Sequence, residues 1–165
     1  MHKVLSSLLM ACAATLSACA PMQQAQPLAY PPFPTEEYAK LPRTGDAQVS
    51  GQAFMKTRGG DVKVGAGSEI VLIPVTSYSK VLYTAYLSNR PINTPDARAR
   101  EFTIRTQADA TGSFIFTGVP AGTYYLGGEV TWEAPTQYGL SKQGGFIAKE
   151  VTVAPGSKNT FMLTK

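Results

Sequence analysis

Hydrophobic and polar residues alternate along most of the chain after residue 47, as they do in half-buried β-strands. Residues that favour turns, namely Gly, Pro, Asp and Asn, separate these runs. Seven runs have the length of a strand: residues 48–55, 69–75, 101–106, 113–119, 123–132, 146–153 and 160–164. About seven short strands predict an all-β fold, an antiparallel Greek-key β-sandwich.

The segment 77–89 fits two patterns. It alternates well enough for a strand, but its apolar residues also recur at helical spacing, at Tyr78, Leu82, Ala85 and Tyr86. Prolines at 91 and 95 end the segment under either interpretation. We favour a short helix on the surface of the sandwich.

The first 18 residues have the pattern of an export signal. A basic start, Met1–Lys3, precedes 12 largely apolar residues, 4–15. This stretch is too short to span a bilayer, which needs about 20 residues. The sequence that follows, Leu16-Ser17-Ala18-Cys19, resembles the bacterial lipoprotein box.

In lipoproteins of that kind the cysteine takes a diacylglycerol and becomes the acylated N-terminus. The resemblance implies a signal peptide over residues 1–18 and a lipid anchor at Cys19, with acyl chains such as palmitate. Ala20 follows instead of an inner-membrane retention Asp, so in a Gram-negative host the expected location is the periplasmic face of the outer membrane. The alternative is ordinary secretion, since Ala18-Cys19-Ala20 also fits a signal-peptidase site.

Proline and glycine are distributed unevenly along the chain. Six of the 12 prolines lie between residues 21 and 42, whereas all 15 glycines lie between 45 and 156. Residues 19–46 are therefore predicted to be the lipidated cysteine and an extended Pro/Gln-rich tether, which at about 3.1 Å per residue would reach roughly 80 Å. Residues 47–165 would form the domain. Alternatively, three aromatic residues of the tether dock on the domain: Tyr30, Phe33 and Tyr38.

The most specific motif in the domain runs from Asp109 to Leu126 (DATGSFIFTGVPAGTYYL). Its alternation places Phe114 and Phe116 on one strand face, and Tyr124 should return to the same core. The motif resembles the carboxypeptidase regulatory-like domain, which implies a prealbumin (transthyretin-like) sandwich. Outer-membrane lipoproteins of type VI secretion systems have a similar sandwich, but no motif of this chain is specific to them.

Composition argues against an enzyme. Removal of the signal peptide would remove His2 and Cys12, and acylation would consume Cys19. The mature chain would then have no imidazole and no free thiol for a catalytic base, a cysteine nucleophile, a His/Cys zinc site or a disulfide. Hydroxyisourate hydrolases have the transthyretin-like fold that this chain resembles, but those enzymes need histidines. No cofactor, metal or catalytic residue is predicted.

Carboxylates and charge do not suggest another chemistry. Glu129 and Glu133 would be about 13 Å apart along a strand, too far for the usual pair of a glycosidase. The net charge of +4 includes no block of like charges, so no nucleic-acid role is expected.

Two groups of residues could form a binding surface. The first is aromatic, with glycines nearby: Tyr125, Trp132 and Tyr138. Exposed aromatic rings stack on sugars or on protein partners, although Trp132 could equally be a core residue. The second group includes Arg98 and Arg100, whose guanidinium groups suit phosphate or carboxylate ligands but could equally be solvated.

These observations predict a membrane-anchored envelope lipoprotein whose sandwich is a non-catalytic structural or protein-interaction module. Its partners would be the membrane, through the lipid, and another envelope protein. The alternative is a module that binds cell-envelope carbohydrate through its exposed aromatic residues.

Overall fold

Eight strands and three short helices make up residues 26–165, the part of the chain that this computed structural model describes. The strands are β1 (Ala47–Lys56), β2 (Val62–Val64), β3 (Glu69–Pro74), β4 (Ile104–Gln107), β5 (Ser113–Val119), β6 (Gly122–Thr136), β7 (Gly139–Val153) and β8 (Lys158–Leu163). The helices are α1 (Thr35–Ala39), α2 (Ser77–Leu87) and α3 (Ala97–Arg100). The predicted signal peptide and Cys19 lie outside the described residues.

The strands form two four-stranded sheets, so the predicted β-sandwich is confirmed. In the first sheet β1 pairs antiparallel with β2 and β5 and parallel with β8. The second sheet has the order β4-β3-β6-β7 and is antiparallel throughout. The parallel β1–β8 pair departs from the expected all-antiparallel arrangement, because β7 and β8 belong to different sheets and are not joined as a hairpin.

Apolar side chains from the inner faces of both sheets form one core. Its fully buried members include Val49, Ile70, Leu72, Leu126, Val130, Ile147 and Leu163. Phe114, Phe116 and Tyr124 join them, as their alternation predicts. Tyr124 also donates its hydroxyl to the Pro120 carbonyl at 2.9 Å, so its one polar atom is satisfied inside the core.

The segment 77–89 is a helix, α2, from Ser77 to Leu87. Its N-terminus has a capping box: the Thr76 hydroxyl accepts from the Ser79 amide at 3.0 Å, and the Ser79 hydroxyl accepts from the Thr76 amide at 2.9 Å. The helix ends before Asn89, whose φ of 49° is left-handed. This helix lies on the outer face of the second sheet.

The Asp109 motif forms the turn before β5. One carboxylate oxygen of Asp109 accepts from the Thr111 hydroxyl and amide and from the Ser113 amide, and these bonds lower the pKa of Asp109. Gly112 has a φ of 78°, and a Cβ there would lie 2.6 Å from the Ala53 carbonyl oxygen. The turn therefore requires glycine at this position.

The structure departs from the predicted strands mainly in three places. The strand expected at residues 101–106 begins only at Ile104, after the helix α3. Strand β2 was not predicted, because three half-exposed or exposed residues are too few to show alternation. The hairpin of β6 and β7 continues to Thr136 and Gly139, beyond the sandwich, where polar and glycine residues conceal the strand pattern.

Candidate functional site

The predicted tether is not extended over residues 26–46, which pack against the domain as an arm. Gln26 accepts a hydrogen bond from Arg90 at 3.3 Å. Leu28 donates its amide to the Pro91 carbonyl at 2.8 Å and accepts from the Asn93 amide at 3.0 Å. Glu37 accepts from the Ser77 amide at 2.9 Å and from its hydroxyl, at the start of α2. The alternative interpretation of the sequence, in which aromatic residues of this segment dock on the domain, therefore fits residues 26–46.

Aromatic stacking holds the arm in place. Tyr30 stacks on Tyr78 of α2 with ring centroids 4.5 Å apart, and Phe33 lies 4.6 Å from Tyr38. Tyr38 is only 2% exposed, and it contacts Phe102 edge-on at 4.9 Å. A chain that only spaced two bodies would not bury these rings.

The tyrosine hydroxyl groups of this aromatic cluster do not all have a hydrogen-bond partner. Tyr38 accepts a hydrogen bond from the Thr76 hydroxyl at 3.1 Å, and Tyr78 accepts from the Asp96 amide at 2.7 Å. The buried hydroxyl of Tyr30 has no hydrogen-bond partner among residues 26–165, and desolvation raises its pKa to about 12. Tyr30 lines a mainly apolar cavity of about 410 Å³ between the arm, α2 and the second sheet.

The two predicted arginines have different environments. Arg98 forms a two-pronged ion pair with Asp96, at 2.7 and 3.0 Å, and its guanidinium lies 4.3 Å from the centre of the Phe33 ring. This pairing lowers the pKa of Asp96 to about 2. Arg98 thus helps to hold the arm. Arg100 is exposed and lines the cavity beside Tyr30.

Tyr125 was predicted to be an exposed aromatic residue, but it is only 5% exposed. Its ring stacks on Tyr83 of α2 at 4.2 Å and 15°. Burial, chiefly, and the nearby Glu150 carboxylate raise the pKa of Tyr125. Tyr125 points away from the core, as expected from its alternation with Tyr124, but α2 covers it. It cannot offer a ring to a ligand.

Trp132 is neither a core residue nor fully exposed; it is half-buried on the part of β6 that extends beyond the sandwich. It lines an open cleft of about 980 Å³ between this hairpin and the β1–β2 turn. The other residues that line the cleft include Lys56, Arg58, Asp61, Lys63, Glu133 and Gln143. We call this surface the Trp132 cleft.

A glycine makes room for the indole. Gly144 of β7 pairs with Thr131 of β6 and has a φ of 86°. A Cβ at Gly144 would lie 2.7 Å from the Trp132 ring and 2.1 Å from the Val130 carbonyl oxygen. Strand pairing also fixes the backbone of Trp132 opposite Gln143. The hairpin therefore accommodates the indole only because residue 144 has no side chain.

Tyr138 lies in the turn of the same hairpin and is 92% exposed. The structure does not bring the three predicted aromatic residues to one surface. Tyr125 and Trp132 are seven residues apart on one strand, and an odd separation places two side chains on opposite faces. This signal was available in the sequence. Both glycines near Tyr125, Gly127 and Gly128, are buried.

The polar residues of the Trp132 cleft were not predicted. They come from β1, the β1–β2 turn, β2, β6 and β7, which lie more than 70 residues apart at their extremes. Each is an ordinary charge or amide in its local sequence. Within residues 26–165, no three His, Cys, Asp or Glu side chains are grouped to hold a metal ion, and no helix is long and apolar enough to span a membrane.

Comparison with known proteins identifies a structural relative. The chain resembles the crystal structure of a Pseudomonas aeruginosa protein described provisionally as carbohydrate-binding, with a TM-score of 0.75 and 28% sequence identity. The match covers 82% of this chain and 99% of the other. No family model matches the sequence, and no curated protein does. The resemblance to the carboxypeptidase regulatory-like domain stays a prediction.

Proposed function

We propose that this protein is a lipid-anchored, non-catalytic module of the cell envelope, and that it binds carbohydrate in the Trp132 cleft. The observation that carries the proposal is a half-buried tryptophan, positioned by Gly144, at an open cleft edged by charged and amide groups. The description of the similar Pseudomonas aeruginosa protein supports it.

The composition of the cleft suits a sugar. The apolar face of a pyranose ring stacks on an indole, and its hydroxyl groups both donate and accept hydrogen bonds. Asp61 and Gln143 can accept from those hydroxyls, and Arg58 and Lys63 can donate to them. A cleft of about 980 Å³ has room for an oligosaccharide of a few units.

The anchor is proposed from the sequence at Cys19. Acyl chains contribute about 0.8 kcal/mol for each buried methylene, so two or three chains hold a protein firmly on a membrane. The outer membrane, on its periplasmic face, is the proposed location in a Gram-negative host. Cys19→Ser should move the protein from the membrane fraction to the soluble fraction, and retention in the membrane would contradict the anchor.

Trp132 is the only tryptophan of the chain, so its fluorescence reports directly on the cleft. We expect peptidoglycan fragments or other envelope oligosaccharides to shift its emission and to bind in calorimetry. In calorimetry, Trp132→Ala should lower the affinity at least tenfold. Tyr138→Ala removes an exposed ring outside the cleft and should leave the affinity unchanged. If every oligosaccharide leaves the emission unchanged, the carbohydrate proposal is wrong.

A protein partner is the second candidate. The turn between β6 and β7 exposes Tyr138 at 92%, and Leu140 just after it at 69%. Apolar residues exposed together at a hairpin tip are typical of a contact with another protein. Crosslinking in cells through Tyr138 or Leu140 would identify such a partner, and Trp132→Ala should leave that crosslink intact.

A further inference from the structure

The docked arm fixes where the chain reaches the domain. From Gln26 onward the backbone is held, because Gln26 bonds to Arg90 and Leu28 pairs with Ile92, both just beyond the end of α2. The N-terminal side of the chain therefore meets the domain at the C-terminal end of α2, and not near Gly45.

This docking shortens any spacer to the proposed anchor. Seven residue steps separate Cys19 from Gln26. Even fully extended, at most about 3.6 Å each, they reach only about 25 Å. The predicted tether of residues 20–46 would have reached roughly 80 Å. An acylated Cys19 would thus keep the C-terminal end of α2 close to the membrane.

The surface at that end combines exposed apolar residues with basic ones. Leu87 is 67% exposed and Phe146 47% exposed. Both line an open concavity of about 720 Å³, together with Arg90 and Lys165. We call these four residues the Arg90 face. Within residues 26–165 no acidic side chain lines this concavity, and neither Arg90 nor Lys165 forms an ion pair.

We propose that the Arg90 face lies on the membrane surface, an inference that rests on the proposed anchor at Cys19. Leu87 and Phe146 meet the headgroup region, where apolar side chains gain by leaving water. Arg90 and Lys165 meet anionic phosphate groups, each attraction being about 1 kcal/mol near such a surface. The protein is then a membrane-apposed domain with one defined orientation, and not one displayed at the end of a long tether.

A single free thiol can test the orientation. In the acylated mature chain Cys19 is consumed, so Leu87→Cys introduces one labelling site on the Arg90 face. Ile115→Cys is the matched control: Ile115 is a 50% exposed apolar residue on β5, in the first sheet. It alternates with buried Phe114 and Phe116 and so points outward, away from the sheet that carries α2.

The acylated variants are labelled with an environment-sensitive fluorophore and placed in vesicles of phosphatidylethanolamine and phosphatidylglycerol that contain spin-labelled lipid. We expect quenching several-fold stronger at position 87 than at position 115. Equal quenching in protein that floats with the vesicles would overturn the orientation and leave the anchor standing. Failure of both proteins to float would overturn the anchor and the orientation together.

Charge reversal tests the electrostatic part without touching the arm. Lys158 and Lys165 are exposed lysines at and just beyond opposite ends of β8. Lys165→Glu should lower the quenching at position 87 about twofold, whereas Lys158→Glu should leave it unchanged. Equal effects of the two reversals would overturn the assignment of Lys165 to the membrane side.

Discussion

The two faces of the second sheet are packed in different ways. The inner face buries aliphatic side chains such as Ile70, Leu72 and Leu126, which are fully inaccessible to solvent. The outer face buries Tyr125 beneath α2, and further tyrosines beside it under the helix and the arm. The inner layer is closed by another sheet, whereas an 11-residue helix and a docked segment close the outer one.

From this difference we expect the outer layer to open separately from the inner core. Its contacts are ring stacks and single hydrogen bonds, among them the bond from the Ala148 amide to the Tyr86 hydroxyl at 3.1 Å. Local unfolding free energies are lowest where few apolar contacts hold a segment. The inner core should unfold with the whole domain, and the outer layer before it.

Leu126→Ala should have the largest effect, because it leaves a cavity in the inner core. We expect a loss of about 2–5 kcal/mol in the free energy of unfolding, measured by urea denaturation. Leu87→Ala is the control: its side chain is 67% exposed, so its effect should stay within about 0.5 kcal/mol. A loss below about 1 kcal/mol for Leu126→Ala would mean that the core is not the main source of stability.

Tyr30→Ala should loosen the arm, with a smaller change in free energy than Leu126→Ala causes in the core. It removes the stack on Tyr78, and we expect a loss of about 1–2 kcal/mol in the free energy that keeps the arm closed. Hydrogen exchange should accelerate over residues 26–46 and hardly at all in β1 and β6. Uniform acceleration across the domain would show that the two layers are not separable.

Removal of single hydroxyl groups distinguishes satisfied from unsatisfied tyrosines in the outer layer. Tyr38→Phe should destabilise by about 1 kcal/mol, because the Thr76 hydroxyl loses the closer of its two acceptors. Tyr30→Phe should be neutral or slightly stabilising, since the buried hydroxyl it removes has no partner among residues 26–165. Thermal denaturation of the two variants compares them directly, and the reverse order would refute the assignment.

Alkaline pH should affect the outer layer through the same hydroxyl. Desolvation raises the pKa of Tyr30 from 10.0 to about 12, so folding favours the neutral phenol. The stability that this shift contributes is fully present below pH 10 and is lost as the pH rises through about 12. Tyr30→Phe should therefore reduce the loss of stability between pH 10 and 12, and an unchanged pH profile would contradict it.

The strands and α2 were predictable because their signals are local. Alternation identified Phe114 and Phe116 as core residues, and helical spacing identified Ser77–Leu87. Docking of the arm was only the alternative interpretation, because a proline-rich composition indicates a tether and the surface that receives the rings has no local signal. Its site is formed by Tyr78 and Phe102, distant in sequence.

The candidate cleft also combines a residue with a local signal and residues that only the fold brings together. Trp132 was identified as a candidate, but its neighbours Lys56 and Asp61 come from another sheet and have no local pattern. Arg98 was expected on a binding surface and instead pairs with Asp96 beside the docked arm. Tyr125 was placed on the correct face of its strand, but nothing local indicated that a helix would cover that face.

The lipoprotein box on which the proposed anchor depends stays a prediction. The sequence alone also indicated seven of the eight strands of residues 26–165, the surface helix and the inward faces. These follow from the spacing of side chains along a single backbone, which is a local property. The packing of distant segments is what shows that residues 26–46 dock, that α2 covers Tyr125, and that Trp132 lies at an open cleft. Each of these depends on which distant surfaces exclude water from one another, and that is settled only when the sheets, helix and arm pack together.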